Sequence, residues 1–338
     1  MKHGANIYKY AKKLQCTPNE IIDFSSNINL HNPKINFNIT NDMIVKYPDS
    51  SYKKLKKTIS KKYNIKPSQV SLFNGATTAI FELLKNLKEK KVYLYAPLYG
   101  EYEKASKNKQ IIKINRFKNI YQKIKKNSIV IFVNPSTPDG KYYDLKKLFL
   151  YWKKQNCSII IDESFLEFEK LDSLRDEINH YKKLYIIQSF SKFNSCAGIR
   201  VGAIFSNKKN SKKFKNPLWH LSTFDTQFLI SRLKDKNFKI KTYKKHKKHK
   251  KQLYKILKKS NLFDKIYRSD ANFFLTKSKN SKKIFKYLLT NKILSRTCDS
   301  FDFLGENHIR FAVKNAKSHK KLKSLILKPE FDNKNTQI

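Results

Sequence analysis

Five short apolar runs punctuate the middle of this chain: KVYLYAP (91–97), SIVIFVNP (128–135), CSIIIDES (157–164), KLYIIQSFS (183–191) and VGAIFS (201–206). Amphipathic stretches such as TTAIFELLKNLKE and YDLKKLFLYWKKQN lie between them. Strand-like runs alternating with helix-like ones predict an α/β fold, a mostly parallel central sheet with helices on both faces. From about residue 220 the pattern changes to a long basic helix and then short strands, ANFFLTKS and HIRFAVK, which predicts a smaller α+β C-terminal domain. The expected division is an N-terminal arm (1–40) packing with the small domain, a large domain (41–215), the small domain (216–330) and a flexible tail (331–338).

In such sheets the working residues gather beyond the carboxyl ends of the strands, where loops begin. Asn134, Asp162, Ser189 and Lys192 all fall there. Lys192 sits in SFSKFNSCAGIRVG, just after a strand and flanked by Ser189 and Ser191. A lysine partly withdrawn from water loses some of its proton affinity, and its free amine can form a Schiff base. Most lysines are simply surface residues, so its neighbours must decide. Arg200 follows eight residues later, and with the serine hydroxyls it would cradle a phosphate monoester. In NGATTAIFELL, Gly75, Ala76 and Thr77 precede a helix whose N-terminus favours an anion; alone, that is an ordinary cap. Asp162 ends an apolar strand and needs a cation or donors, which a protonated pyridine nitrogen, a cap or an ion pair would each supply. Tyr99 would cover a flat ring, although tyrosines in an aromatic-rich chain more often fill the core.

Composition sharpens this. Only seven arginines occur among 73 basic residues, so lysine is the background and arginine the signal. A guanidinium binds carboxylate or phosphate at two points, which lysine cannot reproduce. Arg200, Arg296 and Arg310 are three of the seven. The net charge of +47 is spread along nearly every segment, which argues against a dedicated nucleic-acid surface. The dense run 243–259 carries Leu253, Ile256 and Leu257 at helical spacing, the mark of a solvated helix face. Four scattered cysteines give neither a zinc site nor a disulfide framework, so no metal is expected. The start lacks a signal-peptide core and no apolar stretch approaches membrane-spanning length, so a cytoplasmic protein is expected.

The stretch SFSKFNSCAGIRVG closely resembles the lysine motif of fold-type I pyridoxal-phosphate enzymes of the aspartate aminotransferase superfamily, and nearly the whole chain keeps that superfamily's motif order. The resemblance implies pyridoxal 5′-phosphate held covalently by Lys192, with Asp162 on the ring nitrogen and Tyr99 stacked on the ring. Gly75, Ala76, Thr77, Ser189, Ser191 and Arg200 would surround the cofactor phosphate, and Asn134 would belong to the cofactor-facing turn. Tyr47, in KYPDSSY, matches a tyrosine that reaches the phosphate across a homodimer interface.

Within the superfamily, HGANIYKYAKKL, IIDFSSNIN and KYPDSSY are similar to the L-threonine-O-3-phosphate decarboxylases of cobalamin biosynthesis, relatives of the histidinol-phosphate aminotransferases. That likeness implies a phosphorylated amino acid as substrate. Its phosphate would lie near His3, Asn27 and Arg296, and its α-carboxylate on Arg310. Two positions depart from the superfamily pattern: NPSTPDG has Thr137 in place of an asparagine, and Phe165 replaces a tyrosine. Both substitutions alter the donors expected at the cofactor's phenolic oxygen. An aminotransferase, a serine-phosphate decarboxylase and a basic nucleic-acid-binding protein on a degenerate enzyme fold are the competing readings.

Overall fold

Successive side chains of a strand point to opposite faces, so a strand apolar at every position must be covered on both sides. In the strand Ile129–Val133, Ile129, Ile131 and Val133 enter one core while Val130 and Phe132 enter another. The structure, a computed structural model that describes residues 4, 6–32 and 38–327, shows both covers. Seven strands form the central sheet: β1 (Val70–Asn74), β2 (Lys91–Ala96), β3 (Gln110–Asn115), β4 (Ile129–Val133), β5 (Ser158–Asp162), β6 (Leu184–Ser189) and β7 (Val201–Phe205). Their order is β1-β7-β6-β5-β4-β2-β3. All neighbours are parallel except β7, which runs antiparallel to both β1 and β6.

Helices Lys53–Tyr63, Lys146–Lys154 and Thr223–Lys234 cover one face through Leu55, Ile59, Trp152 and Leu229. Helix Gly75–Asn86 covers the other through Ile80, Leu83 and Leu84. The mostly parallel sheet with helices on both faces is therefore present, and all five apolar runs are strands in it. β1 and β3 were not anticipated. Helix Thr223–Lys234, assigned by sequence to the smaller domain, packs into the large core through Phe228, Leu229 and Ile230.

Beyond it, helix Lys236–Lys259 buries Leu253, Ile256 and Leu257, and most of its lysines face outward. A four-stranded antiparallel sheet follows, in the order Arg296–Thr297, His308–Ala312, Phe273–Lys277, Lys265–Ile266. Helices Ser281–Thr290 and Ala316–Ile326 complete a separate core around Leu288, Phe311 and Leu322. Ile22–Asp23 pairs in parallel with Ile293–Leu294, which ties the N-terminal segment to this unit. Among the described residues no helix is long and apolar enough to cross a membrane. The tail 331–338 lies outside them.

Candidate active site

A cavity of about 330 Å³ opens at the carboxyl ends of the strands; Val133, Asp162 and Ser189, the last residues of β4, β5 and β6, line it. Lys192 enters from the turn after β6, where its carbonyl accepts the Asn29 backbone amide at 3.0 Å. Burial first, and then the nearby Arg310 charge, lowers the lysine ammonium to about 8, against the opposing pull of Asp162. Asp162 is 5% exposed and accepts from the Tyr102 hydroxyl at 2.8 Å and the Ser164 amide at 2.9 Å. Burial pushes its carboxyl up, while these donors and Lys192 pull it down. Its two partners inside the protein are neutral, so the carboxylate retains capacity for a cation in the cavity.

One end of the cavity is built by close backbone approach. Gly75 starts its helix at φ +80, in the left-handed region where side chains are strained. A Cβ there would stand 2.5 Å from Arg200 Nη2, so the glycine admits the guanidinium to the helix N-terminus. Gly202 acts similarly on the strand side: a Cβ would collide with the Ala76 backbone nitrogen. Ala76, Thr77, Ser189, Ser191 and Arg200 all face the cavity, and Thr77 Oγ1 lies 3.4 Å from the Tyr99 hydroxyl. A phosphate, a flat ring, a ring nitrogen and an aldehyde thus each meet a suited group, and the residues present fit pyridoxal phosphate.

The opposite wall carries Arg296 and Arg310, which are 3% and 6% exposed. Arg310 Nη1 donates to Thr137 Oγ1 at 3.0 Å and Nη2 to the Ser25 carbonyl at 3.2 Å, and its Nε has no partner among the described residues. Burial lowers this guanidinium to about 10. Arg296 Nη2 donates to Ser300 Oγ at 3.0 Å, and its guanidinium lies 5.3 Å from the Phe301 ring centre. Asn27 also lines the cavity, and its Oδ1 is buried without a partner among the described residues.

Three of the anticipated residues stand apart. Asn134 does not reach the cavity: its amide donates to the Tyr143 carbonyl and its Oδ1 accepts the Tyr143 amide, both at 2.9 Å. It closes the 134–143 loop, and Thr137 and Val133 line the cavity in its place. Tyr47 is 76% exposed and stacks on Trp219 at 4.2 Å, away from the cavity of its own chain. His3 lies outside the described residues, although Gly4 beside it lines the cavity. Sequence reasoning missed Tyr102, whose place one helical turn after Tyr99 was the available signal. It also missed Arg116, buried beneath the loop, which donates to both Asp139 oxygens at 2.5 and 3.0 Å and to the Thr137 carbonyl at 3.2 Å. Nothing local marks that role.

Comparison with known proteins agrees with this geometry. The profile of aminotransferase class I and II matches residues 1–327. The chain belongs to that family. Members of the aminotransferase class I and II family use pyridoxal 5′-phosphate, and it is the cofactor of this chain. The chain is 29% identical to the adenosylcobalamin biosynthesis bifunctional protein CobDQ of Leptospira interrogans, over 95% of its own length but only 40% of that relative's. It is also 29% identical to a solved histidinol-phosphate aminotransferase from Clostridium acetobutylicum, covering 92% of this chain and 99% of that one with a TM-score of 0.80. An L-threonine-O-3-phosphate decarboxylase from Porphyromonas gingivalis shares the fold at 19% identity, covering 84% and 90% of the two chains with a TM-score of 0.73.

Proposed function

We propose that this enzyme decarboxylates L-threonine O-3-phosphate to the phosphorylated amino alcohol and CO₂. The charge of the cavity carries the reading. Lys192, Arg200, Arg296 and Arg310 line it against one carboxylate, Asp162. In this reading Arg200, admitted beside the helix start by Gly75, takes the cofactor phosphate, and two buried arginines remain on the far wall. A substrate with a carboxylate at one end and a phosphate at the other matches two such forks. The likeness to a protein of adenosylcobalamin biosynthesis supports the same substrate class.

When bound, pyridoxal phosphate withdraws electrons from the bonds to the substrate's α-carbon. The chain's residues decide the rest. Asp162 would hold the ring nitrogen in its protonated form, with Tyr102 and Ser164 keeping the Asp162 carboxylate oriented. In this proposal Arg310 takes the α-carboxylate and Arg296 and Asn27 take the remote phosphate, so binding energy away from the reacting bond sets its orientation. Lys192 Nζ, with its lowered proton affinity, returns a proton to the α-carbon after CO₂ leaves. Two copies of the chain share their sites, Tyr47 of each approaching the phosphate of the other; its exposure and its absence from its own cavity support this.

A second reading is histidinol-phosphate aminotransferase, favoured by the solved relative of that activity. Purified enzyme incubated with threonine phosphate separates the two. Stoichiometric CO₂ without a keto acid supports decarboxylation, and turnover that requires 2-oxoglutarate and releases none rejects it. Serine phosphate lacks one methyl group, a difference of about 1 kcal/mol in an apolar pocket, so it is the closest competitor to assay. Borohydride labelling tests the lysine: the cofactor is expected to become fixed to Lys192, and a label retained in Lys192→Ala would contradict the assignment.

A further inference from the structure

Away from the catalytic cavity, a larger hollow of about 890 Å³ opens between the large sheet and the smaller domain. Its walls come from residues 116–121 after β3, from 139–143, and from 265–270. None of the chemistry assigned above uses this space.

Its charges are unbalanced in a specific way. Lys118, Lys141, Lys265 and Arg268 face the hollow, and none has a carboxylate partner among the described residues. Both acids in the wall are engaged: Asp139 by Arg116 at 2.5 Å, and Asp270 by the Tyr142 amide at 2.9 Å. Arg268 is one of only seven arginines in the chain, and its planar fork suits phosphate at two points.

The hollow also presents aromatic faces. Phe117 and Tyr121 are 37% and 60% exposed, and Phe117 lies 6.0 Å from Tyr267 between ring centres. The Lys265 and Lys141 ammoniums sit 4.7 Å from the ring centres of Tyr267 and Tyr143, respectively. Cations laid over rings are held in place without being neutralised, which leaves them able to receive an anion. Exposed aromatic faces beside such cations suit a ligand that stacks a flat ring and carries phosphate. The volume falls in the range that holds a small organic ligand, roughly 300–1,000 Å³.

We propose that this hollow binds a nucleotide-class anion, with its base against Phe117 and Tyr121 and its phosphates on Arg268 and the neighbouring lysines. The proposal is independent of which reaction the catalytic cavity performs. Calorimetric titration of the holoenzyme with ATP tests it, with adenosine and inorganic triphosphate as separate probes. One saturable site per chain is expected, and each partial probe should bind at least roughly tenfold more weakly. Arg268→Ala and Tyr121→Ala alter exposed side chains, and each is expected to weaken ATP at least roughly tenfold with an unchanged melting temperature. Absence of saturable binding overturns the proposal, as does full affinity in both variants. Triphosphate binding as tightly as ATP would reduce the site to bare charge and sink it. Competition by threonine phosphate or pyridoxal phosphate would move the binding to the catalytic cavity, with the same consequence.

Discussion

At the scale of single residues, the cavity is a balance between burial and charge. The lowered Lys192 is the clearest case. Its ammonium is held near 8 in the folded chain against the ordinary 10.5, so between those values the unfolded chain binds the proton and the folded one does not. Stability therefore rises with pH across that window, and below about 8 the full cost of the buried charge is present. Cofactor-free enzyme should melt at a lower temperature than Lys192→Met at pH 7, and the gap should narrow as pH rises towards 10.5. A gap that stays constant in thermal scans would refute the lowered affinity. Thr137 is the second case, because it stands between two buried arginines: its carbonyl accepts from Arg116 and its hydroxyl from Arg310. Thr137→Val keeps the volume but strands Arg310 Nη1, which should cost about 1–3 kcal/mol in urea unfolding. Thr137→Ser should restore most of it. Equal stability of the Val and Ser variants would show that the hydroxyl is not what holds the arginine.

At the scale of elements, the proposed phosphate cradle depends on how closely a helix start, a strand and an arginine approach. Gly75→Ala places a methyl group on Arg200 and a side chain in the left-handed region. Cofactor affinity should fall at least roughly tenfold, the loss of about one charge-assisted contact. Gly198→Ala is the control, since a Cβ there meets nothing. Fluorescence titration with pyridoxal phosphate reads both variants, and an unchanged affinity in Gly75→Ala would remove the cradle from the account. Elements also explain what the sequence concealed. β3 reads QIIKIN, and its Lys113 pairs with Glu103 and Asp302 at 2.8 Å, so this edge strand lacks the unbroken apolar run that marked the central ones. β1 is five residues long and runs directly into the helix at Gly75, so the helical pattern absorbs it. The resemblance places Asn134 in a cofactor-facing turn; here the loop's own backbone takes both ends of its amide.

At the scale of the whole molecule, one apolar patch has no cover among the described residues. Tyr47 stacks on Trp219, and Ile44, Val45 and Leu218 beside them in sequence are each more than 60% exposed. A second copy is the proposed occupant. Sedimentation is expected to report twice the 40.0 kDa chain mass, and Trp219→Glu with Tyr47→Glu should shift it towards one chain. A double variant that sediments as the parent would show that this patch is not the contact. The N-terminal segment belongs to the same scale. Asn29 donates its side-chain amide to the Phe193 carbonyl at 2.7 Å, and the Ser25 carbonyl accepts Arg310 Nη2 at 3.2 Å. Residues more than 160 positions apart in sequence thus hold the arginine wall and the lysine turn together.

By itself the sequence determined the strand-helix alternation, and with it the mostly parallel sheet, because an apolar strand without polar alternation has to be covered on both faces. It also pointed to Lys192, Asp162 and the arginines that line one cavity, since each belongs to a local motif or to a residue type rare in this chain. The tertiary structure alone decided that Tyr102 supports Asp162, that Arg116 props Thr137, that Asn134 turns away and that helix Thr223–Lys234 joins the large core. Those outcomes rest on contacts between segments distant in the chain. Spacing along a sequence carries the period of a helix or strand but not the distance between two of them.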